Sequence, residues 1–478
     1  MSDDRVIVVG AGPNGLAAAV ALAREGFEVT VHEAADRIGG GASTRELTLP
    51  GFRHDVCSAV HPMGAGSPFF RELPLAEHGL EWIHPPVLLA HPFDDGTAAL
   101  LLHSTADTAE SLGADDGGAY RRLMDPFVAD WRAVFDQALA PLVRLPRRPF
   151  LMSRLARLGM RSGLGLSRRW FASERARAFF MGVAAHALVR MDRPPSAAFA
   201  IMLALAGHGP GWPVARSGSQ SVSDALAGLL AAHGGRILTG ARVSSIDALP
   251  PARATLLDLT TRQVLEVAGH RLPKRYRGRL ERFRYGPGAC KVDWALSQPI
   301  PWKAPECRRA GTLHLGPTVA EIVASTNAAW EGRPDATPFV LLSQPTLFDP
   351  SRAPEGRHVA WAYCHVPHGS PVDMTRAIER QVERFAPGFG DTILARHTFT
   401  APELEAHDAN LVGGDINGGV QDVAQLLFRP APRLDPYATP VEGLFLCSAS
   451  TPPGGGVHGM CGFNAARSVL ARVGRSRP

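Results

Sequence analysis

The chain is poor in lysine: its 478 residues include 50 basic side chains, but only Lys274, Lys291 and Lys303 are lysines. The arginines that make up the rest are scattered, and no block of like charge occurs. Proteins that bind nucleic acids usually cluster their positive charge. The net charge of +5 therefore predicts no nucleic-acid partner, and the arginine bias is typical of a GC-rich, bacterial genome.

The sequence also lacks paired cysteines. Six are present, all far apart and none in a C-x-x-C motif: Cys57, Cys290, Cys307, Cys364, Cys447 and Cys461. That spacing excludes the common zinc and redox-disulfide motifs, so we expect free thiols, a reducing cytoplasm and no bound metal. The acidic start MSDD is unlike a signal peptide, which begins with basic residues.

Long apolar runs are missing as well, since none approaches the ~18 residues that span a bilayer. The longest, AAFAIMLALAG at positions 197–207, predicts a buried helix. Residues 151–161 instead place leucines on one helical face and arginines on another, which is typical of a peripheral membrane helix. Glycines at and after this segment weaken the helix, and a solvated helix of a cap region is the alternative.

Glycine, by contrast, is abundant near both ends. The stretch RVIVVGAGPNGLAAAVALAREGFEVTVHEA predicts a strand, a helix and a second strand in that order, at residues 5–9, 14–24 and 28–32. Gly10, Gly12 and Gly15 form G-x-G-x-x-G between the first strand and the helix, and Glu33 follows the second strand. This order within ~30 residues indicates a dinucleotide-binding βαβ unit.

Each of these residue types has a physical reason. Gly10 permits a tight turn, Gly12 lets the backbone approach a pyrophosphate, and Gly15 lets the helix pack close to the strand. The helix N-terminus faces the phosphates, and Glu33 can accept hydrogen bonds from a ribose.

A second glycine-rich turn, DRIGGGAST at 36–44, resembles the glutathione-reductase-type FAD proteins, in which E-x-x-x-R-x-G-G continues the nucleotide site. The resemblance implies that FAD is the cofactor. Many such proteins carry arginine directly after the glycine pair, whereas this chain has Gly41, so one familiar phosphate contact is missing. The cofactor contacts implied here are Gly10, Gly12, Pro13, Asn14, Gly15, Glu33, Ala34, Arg37, Gly39, Gly40, Gly41, Ala42 and Ser43, with Val243 on a later strand.

The other end, TPPGGGVHGMCGFNAARSVL at 451–470, runs from a Pro/Gly loop into a helix, whose N-terminus offers unpaired N–H groups. In this flavoprotein superfamily the C-terminal segment returns to the N-terminal domain and closes over the flavin. The resemblance implies a strand at 443–447, a loop beside the flavin ring, and helix N–H groups that face its N1–O2 edge. The implied contacts are Gly456, Val457, His458, Gly459 and Met460.

Further stretches resemble the phytoene desaturase-like FAD oxidoreductases, among them LPGFRHDVCSAVHPMGAGSPFF (49–70), FMGVAAHALVRM (180–191) and YGPGACKVDWALSQPIPW (285–302). This family includes carotenoid desaturases and isomerases and the pyridine nucleotide-disulfide oxidoreductase domain-containing protein 2 group. The resemblance implies an α/β fold with a Rossmann-like FAD-binding domain of the glutathione-reductase type and a discontinuous α+β substrate or cap domain. The FAD domain is expected at 1–75, 215–290 and 430–478, a helical cap or substrate region at 76–214, and a substrate-binding region with mixed sheet at 291–429.

Several histidines are candidates for chemistry. His458 lies in the flavin-facing loop and is the candidate catalytic residue, as an acid/base or a hydrogen-bond donor; a packed histidine without a role in chemistry is the alternative. His54 and His61 are candidates for the cavity wall, whereas the apolar context of His186 favours a satisfied core histidine. Cys447 and Cys461 flank the loop, and we expect buried thiols rather than a covalent flavin link.

The expected activity is removal of hydride from an apolar or partly apolar small molecule by FAD, with a C=C or C=X bond as product. Oxidation of an amine or another polar substrate, redox-neutral isomerisation, and non-catalytic flavin binding remain alternatives. Only one dinucleotide fingerprint is present, so we expect the substrate to reduce the flavin and oxygen, a quinone or another protein to reoxidise it. No oligomeric state is predicted.

Overall fold

The computed structural model describes residues 4–141 and 145–474; residues 1–3, 142–144 and 475–478 of the expected domain ranges lie outside them. In chain order the strands are β1 Arg5–Val9, β2 Glu28–His32, β3 Thr44–Glu46, β4 Arg53–Asp55, β5 Trp82–Ile83, β6 Val87–Pro92, β7 Ala98–Leu101, β8 Val214–Ala215, β9 Arg236–Leu238, β10 Ala254–Leu257, β11 Gly288–Leu296, β12 Ala310–Leu315, β13 Val340–Ser343, β14 His358–Val366, β15 Ile393–Phe399 and β16 Leu444–Leu446.

The helices, in the same order, are α1 Pro13–Arg24, α2 Pro62–Ala65, α3 Thr105–Leu112, α4 Ala114–Val128, α5 Trp131–Ala138, α6 Pro149–Gly159, α7 Gly163–Trp170, α8 Glu174–Ala184, α9 Ser196–His208, α10 Gln220–Ala232, α11 Thr261–Ala268, α12 Lys274–Leu280, α13 Val319–Trp330, α14 Thr375–Phe385, α15 Ala401–His407, α16 Val423–Phe428 and α17 Met460–Val473. Within the described ranges no helix combines the length and the apolar character that crossing a bilayer requires.

A five-stranded parallel sheet carries the N-terminal βαβ unit. Its strand order is β16-β10-β1-β2-β9, and all its pairs are parallel. β1 lies at the centre and is buried along its apolar run, as expected for a strand covered on both faces. The carboxyl ends of parallel strands share one edge, so the glycine turn after β1, Glu33 after β2 and Asp258 after β10 meet there.

The predicted βαβ elements are confirmed. Pro13 occupies the first turn of α1, where a missing N–H does no harm. The Ala/Leu-rich body of α1 is buried. Gly26, with a φ of +85°, lets the chain turn into β2.

A second, seven-stranded sheet has the order β15-β11-β14-β13-β12-β6-β7. Only its β6–β12 pair is parallel among the described strands. One face packs apolar side chains such as Trp294 against α14. The opposite face carries aromatic and polar side chains, because side chains alternate between the two faces of a strand.

The expected α/β class with a Rossmann-like domain and a mixed second sheet is confirmed. The domain ranges remain a prediction, and the sheets cross them at two points: β6 and β7, from the expected helical region, join the seven-stranded sheet, and β11 begins before residue 291. Val243 was expected on a strand, and this is wrong. The nearest strand, β9, ends at Leu238, and Val243 lies in the irregular segment that follows.

Candidate cofactor and substrate site

A cavity of about 1220 Å³ lies between the two sheets. The glycine-rich turns after β1 and β2 and the loop before α17 form one half of its wall, called here the nucleotide half. Helices α6 and α9 and strands β12, β13 and β14 form the other, called here the substrate half. Drug-sized ligands occupy roughly 300–1,000 Å³, so this cavity has room for a cofactor and a second molecule.

The turn after β1 is built from three glycines with different constraints. Gly10 has a φ of +104°, and a Cβ there would lie 2.9 Å from the carbonyl oxygen of Asp258. A Cβ on Gly15 would lie 2.1 Å from the carbonyl oxygen of Gly10, so α1 packs directly on the turn. A Cβ on Gly12 would lie 3.0 Å from Asp258 Oδ2. Gly10 and Gly12 line the cavity, whereas Gly15 lies behind them.

Other features of the nucleotide half fit a bound dinucleotide. A Cβ on Gly41 would meet nothing closer than Cys57 at 3.8 Å, so the protein itself does not require glycine there. Asn14 Oδ1 and Ser43 Oγ are buried without a hydrogen-bond partner in the described residues, and both side chains line the cavity. Open backbone beside unpaired polar atoms is what the diphosphate and ribose of FAD use. The residues present therefore fit FAD.

Charged side chains surround the nucleotide half. Both oxygens of Glu33 accept backbone N–H groups, from Ala11 at 2.7 Å and Ala35 at 2.8 Å, which fixes the carboxylate at the end of β2. The exposed Arg37 lines the cavity as predicted. Two more arginines, Arg45 and Arg242, also line it, and these supply positive charge in a region where Gly41 cannot.

Asp258 is a feature of this half that the sequence did not indicate. Its Oδ2 accepts the backbone N–H of Gly15 at 2.7 Å. Burial raises the pKa of this carboxyl to about 8, and the carboxylates of Asp408 and Glu33 add to the rise, although the Gly15 hydrogen bond opposes it. Asp258 is therefore mostly protonated at neutral pH and does not repel a diphosphate.

His458 is buried in the loop before α17. The backbone N–H of Met460 donates to its Nδ1 at 3.0 Å, so the ring hydrogen lies on Nε2, which has no hydrogen-bond partner in the described chain. Burial lowers the pKa of His458 to about 4; the nearby carbonyls of Gly454 and Gly455 partly oppose the shift without forming a hydrogen bond of normal geometry with Nε2. His458 is thus a neutral hydrogen-bond donor, and acid/base work near neutral pH does not suit it.

The structure brings most of the expected cofactor contacts to the cavity. Those that line it are Gly10, Gly12, Pro13, Asn14, Glu33, Ala34, Arg37, Gly40, Gly41, Ser43, Val243, Gly456, Val457 and His458. Five lie behind the wall instead: Gly15, Gly39, Ala42, Gly459 and Met460. The first N–H group of α17, on Met460, donates to His458 Nδ1 at 3.0 Å, and the role of the helix N-terminus at the flavin edge stays a prediction.

Of the two histidines expected at the cavity wall, only His61 lies there. His61 lines the cavity and its Nε2 lies 3.0 Å from Ser219 Oγ. That hydroxyl donates to the Ser58 carbonyl, so Nε2 of His61 carries the hydrogen and its unpartnered Nδ1 is an acceptor. His54 does not line the cavity; its Nε2 bonds Thr48 Oγ1 at 2.7 Å and its Nδ1 lies 3.5 Å from Asp293 Oδ1.

His186 and the two loop cysteines match their interpretations from sequence. The Nε2 of His186 lies 2.7 Å from the Nε2 of His314, so it is a satisfied histidine, although it also lines the cavity. Cys447 and Cys461 are buried free thiols whose pKa values are raised by burial. No group of residues suited to hold a metal ion occurs in the part of the chain that the structure describes.

Comparison with known proteins agrees with this geometry. Residues 8–73 match the NAD(P)-binding Rossmann-like domain family. The chain is 26% identical to rat pyridine nucleotide-disulfide oxidoreductase domain-containing protein 2, over 97% of this chain and 93% of that protein. It is also 26% identical to the zeta-carotene-forming phytoene desaturase of Myxococcus xanthus, over 95% and 91% of the two chains.

Over most of its length the chain is similar to phytoene desaturase-like FAD-dependent oxidoreductases.

Solved structures show the same fold. An oxidoreductase from Methanosarcina mazei superposes with a TM-score of 0.65 at 17% identity, covering 98% of this chain and 100% of that one. A putrescine oxidase superposes with a TM-score of 0.65 at 16% identity, covering 98% of each chain. At this identity the likeness concerns the fold alone.

The substrate half of the cavity is largely apolar. Helices α6 and α9 contribute apolar side chains to the wall, namely Met152, Leu155, Phe199, Met202 and Leu203. Opposite them, the seven-stranded sheet contributes Thr312, Ser343, Trp361 and Tyr363. No local sequence pattern indicates these sheet residues, because their common position follows from long-range strand pairing.

Proposed function

We propose that this enzyme removes hydride from an apolar or partly apolar small molecule that binds in the substrate half of the cavity. The observation that supports this proposal most strongly is that one cavity extends from the glycine-rich turns to the apolar wall of α6 and α9. A substrate there lies next to the cofactor without crossing water. Loss of a hydride from one carbon and a proton from its neighbour leaves the substrate with a C=C or C=X bond.

When bound, FAD supplies a hydride acceptor at its N5 atom. The chain holds the cofactor through the turns after β1 and β2, where Gly12, Gly40 and Gly41 expose backbone to the cavity. Burial of the apolar wall excludes water from the reacting carbons. His458 contributes a fixed, neutral N–H donor beside Gly456, because a Cβ on Gly456 would lie 3.6 Å from His458 Nε2.

All the cofactor contacts expected from the sequence remain part of this proposal, and they fall into two groups with different roles. Cavity-lining residues contact FAD directly. Gly15, Gly39, Ala42, Gly459 and Met460 support the wall from behind. Gly459 shows this second role, because a Cβ on it would lie 2.4 Å from the Phe70 ring and 2.8 Å from the Ala17 Cβ.

The electron acceptor is proposed to be oxygen, a quinone or another protein. The single dinucleotide fingerprint after β1 supports reduction of the flavin by the substrate, because NAD(P)H as the reductant would need a second nucleotide site; the acceptor then reoxidises the flavin. A reducing cytoplasm is the proposed location, and the six free cysteines are consistent with it.

An amine oxidase is the second candidate, because putrescine oxidase has the same fold. A substrate ammonium needs a carboxylate or a comparable partner in a buried site. Among the described residues, the carboxylates that line the cavity are Glu33, Asp258, Glu266 and Asp408. Glu33 and Asp258 follow β2 and β10 of the five-stranded sheet, and Glu266 lies in α11, the next helix after β10. Asp408 Oδ2 would lie 3.4 Å from a Cβ on Gly40 in the nucleotide half. These positions favour an uncharged substrate.

Anaerobic titration of the purified holoenzyme tests the activity. The expected result is bleaching of the oxidised flavin band by an apolar substrate, with one double bond formed per flavin reduced. Bleaching by primary amines alone would establish the oxidase instead. Turnover only after prior flavin reduction, without net electron consumption, would establish an isomerase. Tight flavin binding without reduction by any substrate class would leave a binding protein.

We also propose peripheral membrane contact through α6 and the residues before it. Leu145 and Phe150 are 94% and 92% exposed, and exposed arginines surround them: Arg147, Arg148, Arg157, Arg161, Arg168 and Arg169. The other face of α6 lines the cavity. A helix with this composition binds anionic membranes and would pass apolar substrates from lipid to the cavity.

Sedimentation with vesicles tests the contact. We expect the protein to sediment with vesicles that contain phosphatidylglycerol, and Phe150→Asp to reduce the bound fraction severalfold. Leu434→Asp is the matched control, because Leu434 is fully exposed but lies outside this segment. Failure of the wild-type protein to sediment would overturn the proposal, and so would equal losses in the two variants.

A further inference from the structure

The floor of the substrate half carries a row of polar side chains across three adjacent strands. Thr312 of β12 pairs with Ser343 of β13, and Ser343 pairs with Trp361 of β14. Residues paired in this way point to the same face of a sheet, and neighbouring strands lie about 4.8 Å apart. All three side chains line the cavity.

The hydrogen-bond inventory of this row is incomplete. Thr312 Oγ1 and Trp361 Nε1 are buried, and within the described residues neither has a hydrogen-bond partner. Ser343 Oγ donates to the Gly311 carbonyl at 3.2 Å, so its lone pairs remain able to accept. Leaving a buried polar group unpaired costs about 1–3 kcal/mol. The row therefore offers two donors and two acceptors to whatever occupies the cavity.

The charged side chain that contacts the row is already paired. Lys291 Nζ lies 5.4 Å from the centre of the Trp361 ring, but its partner is the adjacent carboxylate of Asp293. Tyr363, whose ring stacks on Trp361 with the centroids 5.8 Å apart, stays neutral because burial raises the pKa of its hydroxyl. His186, also on the cavity wall, stays neutral because burial lowers its pKa to about 3. A charged group at the row would be desolvated without a counter-ion, which is strongly unfavourable.

We propose that the substrate is an amphiphile with a long apolar part and a neutral oxygen-bearing group, a hydroxyl or a carbonyl, which Thr312 and Trp361 bind on the sheet floor. The inference rests on the proposed function and narrows it. The apolar part lies against α6 and α9, and the oxygen pairs with the row. Thr312 and Trp361 are specificity-determining residues in this account, since a hydrocarbon leaves both unpaired and an ion lacks a counter-charge.

Binding of four ten-carbon probes to the holoenzyme tests the proposal independently of turnover. Decanol, decane, decylamine and decanoate share one chain length and differ in the head group, and displacement of a fluorescent apolar dye reports each affinity. We expect decanol to bind about tenfold more tightly than decane, in line with the loss of one buried hydrogen-bond pair. Equal binding of decanol and decane would overturn the proposal, and water would then be the partner of the row. Tighter binding of decylamine or decanoate would overturn it as well.

Substitutions test whether the row of polar side chains causes the preference for decanol over decane. Thr312→Val should remove most of the decanol preference while decane binding stays unchanged, and Thr312→Ser should restore the preference. Thr326→Val is the matched control, because Thr326 is a buried threonine whose hydroxyl bonds the Ile322 carbonyl within α13, away from the cavity wall. A decanol preference that survives Thr312→Val and Trp361→Phe would contradict the inference. If the protein prefers decanol but no substrate reduces the flavin, the proposed binding role of the row would be supported and the proposed activity would be contradicted.

Discussion

Gly462 of α17 lies against Asn14 of α1 so closely that a Cβ at position 462 would sit 1.8 Å from the Asn14 carbonyl oxygen. The contact joins α17, the last helix of the described chain, to α1, the first. It thereby sets the distance between the glycine-rich loop before α17 and the glycine-rich turn after β1. The loop from Gly455 to His458, which leads into α17, and the turn after β1 line the same cavity. One cavity with contributions from both ends is the consequence.

Gly462→Ala should therefore destabilise the protein by about 3 kcal/mol or more, because backbone and not a flexible side chain blocks the added methyl group. Thermal unfolding of the purified variant measures the loss. Gly278→Ala is the control, since position 278 lies in α12 with no atom closer than 3.7 Å to an added Cβ. Similar melting temperatures for the Gly462 variant and the wild type would contradict the close packing of α1 and α17.

Gly41→Ala should fold normally and bind FAD at least about tenfold more weakly. The nearest protein atoms to an added Cβ are those of Cys57 at 3.8 Å, so the protein has room for the methyl group, whereas a bound cofactor in the cavity does not. A tenfold change corresponds to about 1.4 kcal/mol. Fluorescence titration of the apoprotein with FAD measures the affinity, and the melting temperature of the apoprotein reports folding. A variant that binds FAD like the wild type would place the cofactor away from this turn.

Asp258→Asn should flatten the pH dependence of stability. The folded-state pKa of about 8 lies above the unfolded value near 3.9, so the stability that the protonated acid confers is greatest below about pH 4. It is lost as the pH rises through about 8. Between these limits the wild type should lose melting temperature on alkalinisation, and the amide variant should lose less.

The same variant should retain FAD better above pH 8, because an amide cannot become an anion beside the diphosphate. Asp247→Asn is the control for both measurements. Asp247 is exposed and its pKa is lowered by Arg271 and His270, so it does not titrate in this range. Parallel pH profiles for the wild type and the Asp258 variant would show that this carboxyl is ionised throughout.

His458→Gln should leave flavin reduction unchanged in its pH dependence near neutrality. With a folded-state pKa of about 4 below the unfolded value near 6.5, His458 stabilises the fold fully above about pH 6.5, and that contribution is lost as the pH falls through about 4. Acidification from neutral pH should therefore lower the melting temperature of the wild type more than that of the glutamine variant. An inflection in flavin reduction near neutral pH that disappears in the variant would make His458 an acid or base after all.

Local patterns were sufficient for much of the nucleotide half. Short stretches of sequence were enough to predict the β1–α1–β2 unit, the turn at Gly41 and the loop at His458. Glycine and proline restrict or free the backbone locally, without help from distant contacts. The prediction that Val243 lies on a strand failed because strand pairing, and not the local sequence, decides where a strand ends. Its segment reads as a strand, but β9 pairs with β2 only as far as Leu238.

Long-range contacts account for what the sequence did not indicate. Asp258 contacts a glycine turn 243 positions away, and no local pattern marks it. Thr312 and Trp361 share a face only because β13 lies between their strands. His54 was expected at the cavity wall, yet it lies in β4 with its Nδ1 3.5 Å from Asp293 Oδ1.

The most direct test of the central claim is the absorption spectrum of the purified protein before and after acid precipitation, with the released cofactor identified by mass. We expect an oxidised flavin spectrum and FAD in the supernatant, since Cys447 and Cys461 are buried with raised pKa values and unsuited to a covalent link. Colour that remains with the pellet would contradict the assignment of these cysteines. Absence of flavin, even after incubation of the protein with FAD, would contradict the cofactor site itself.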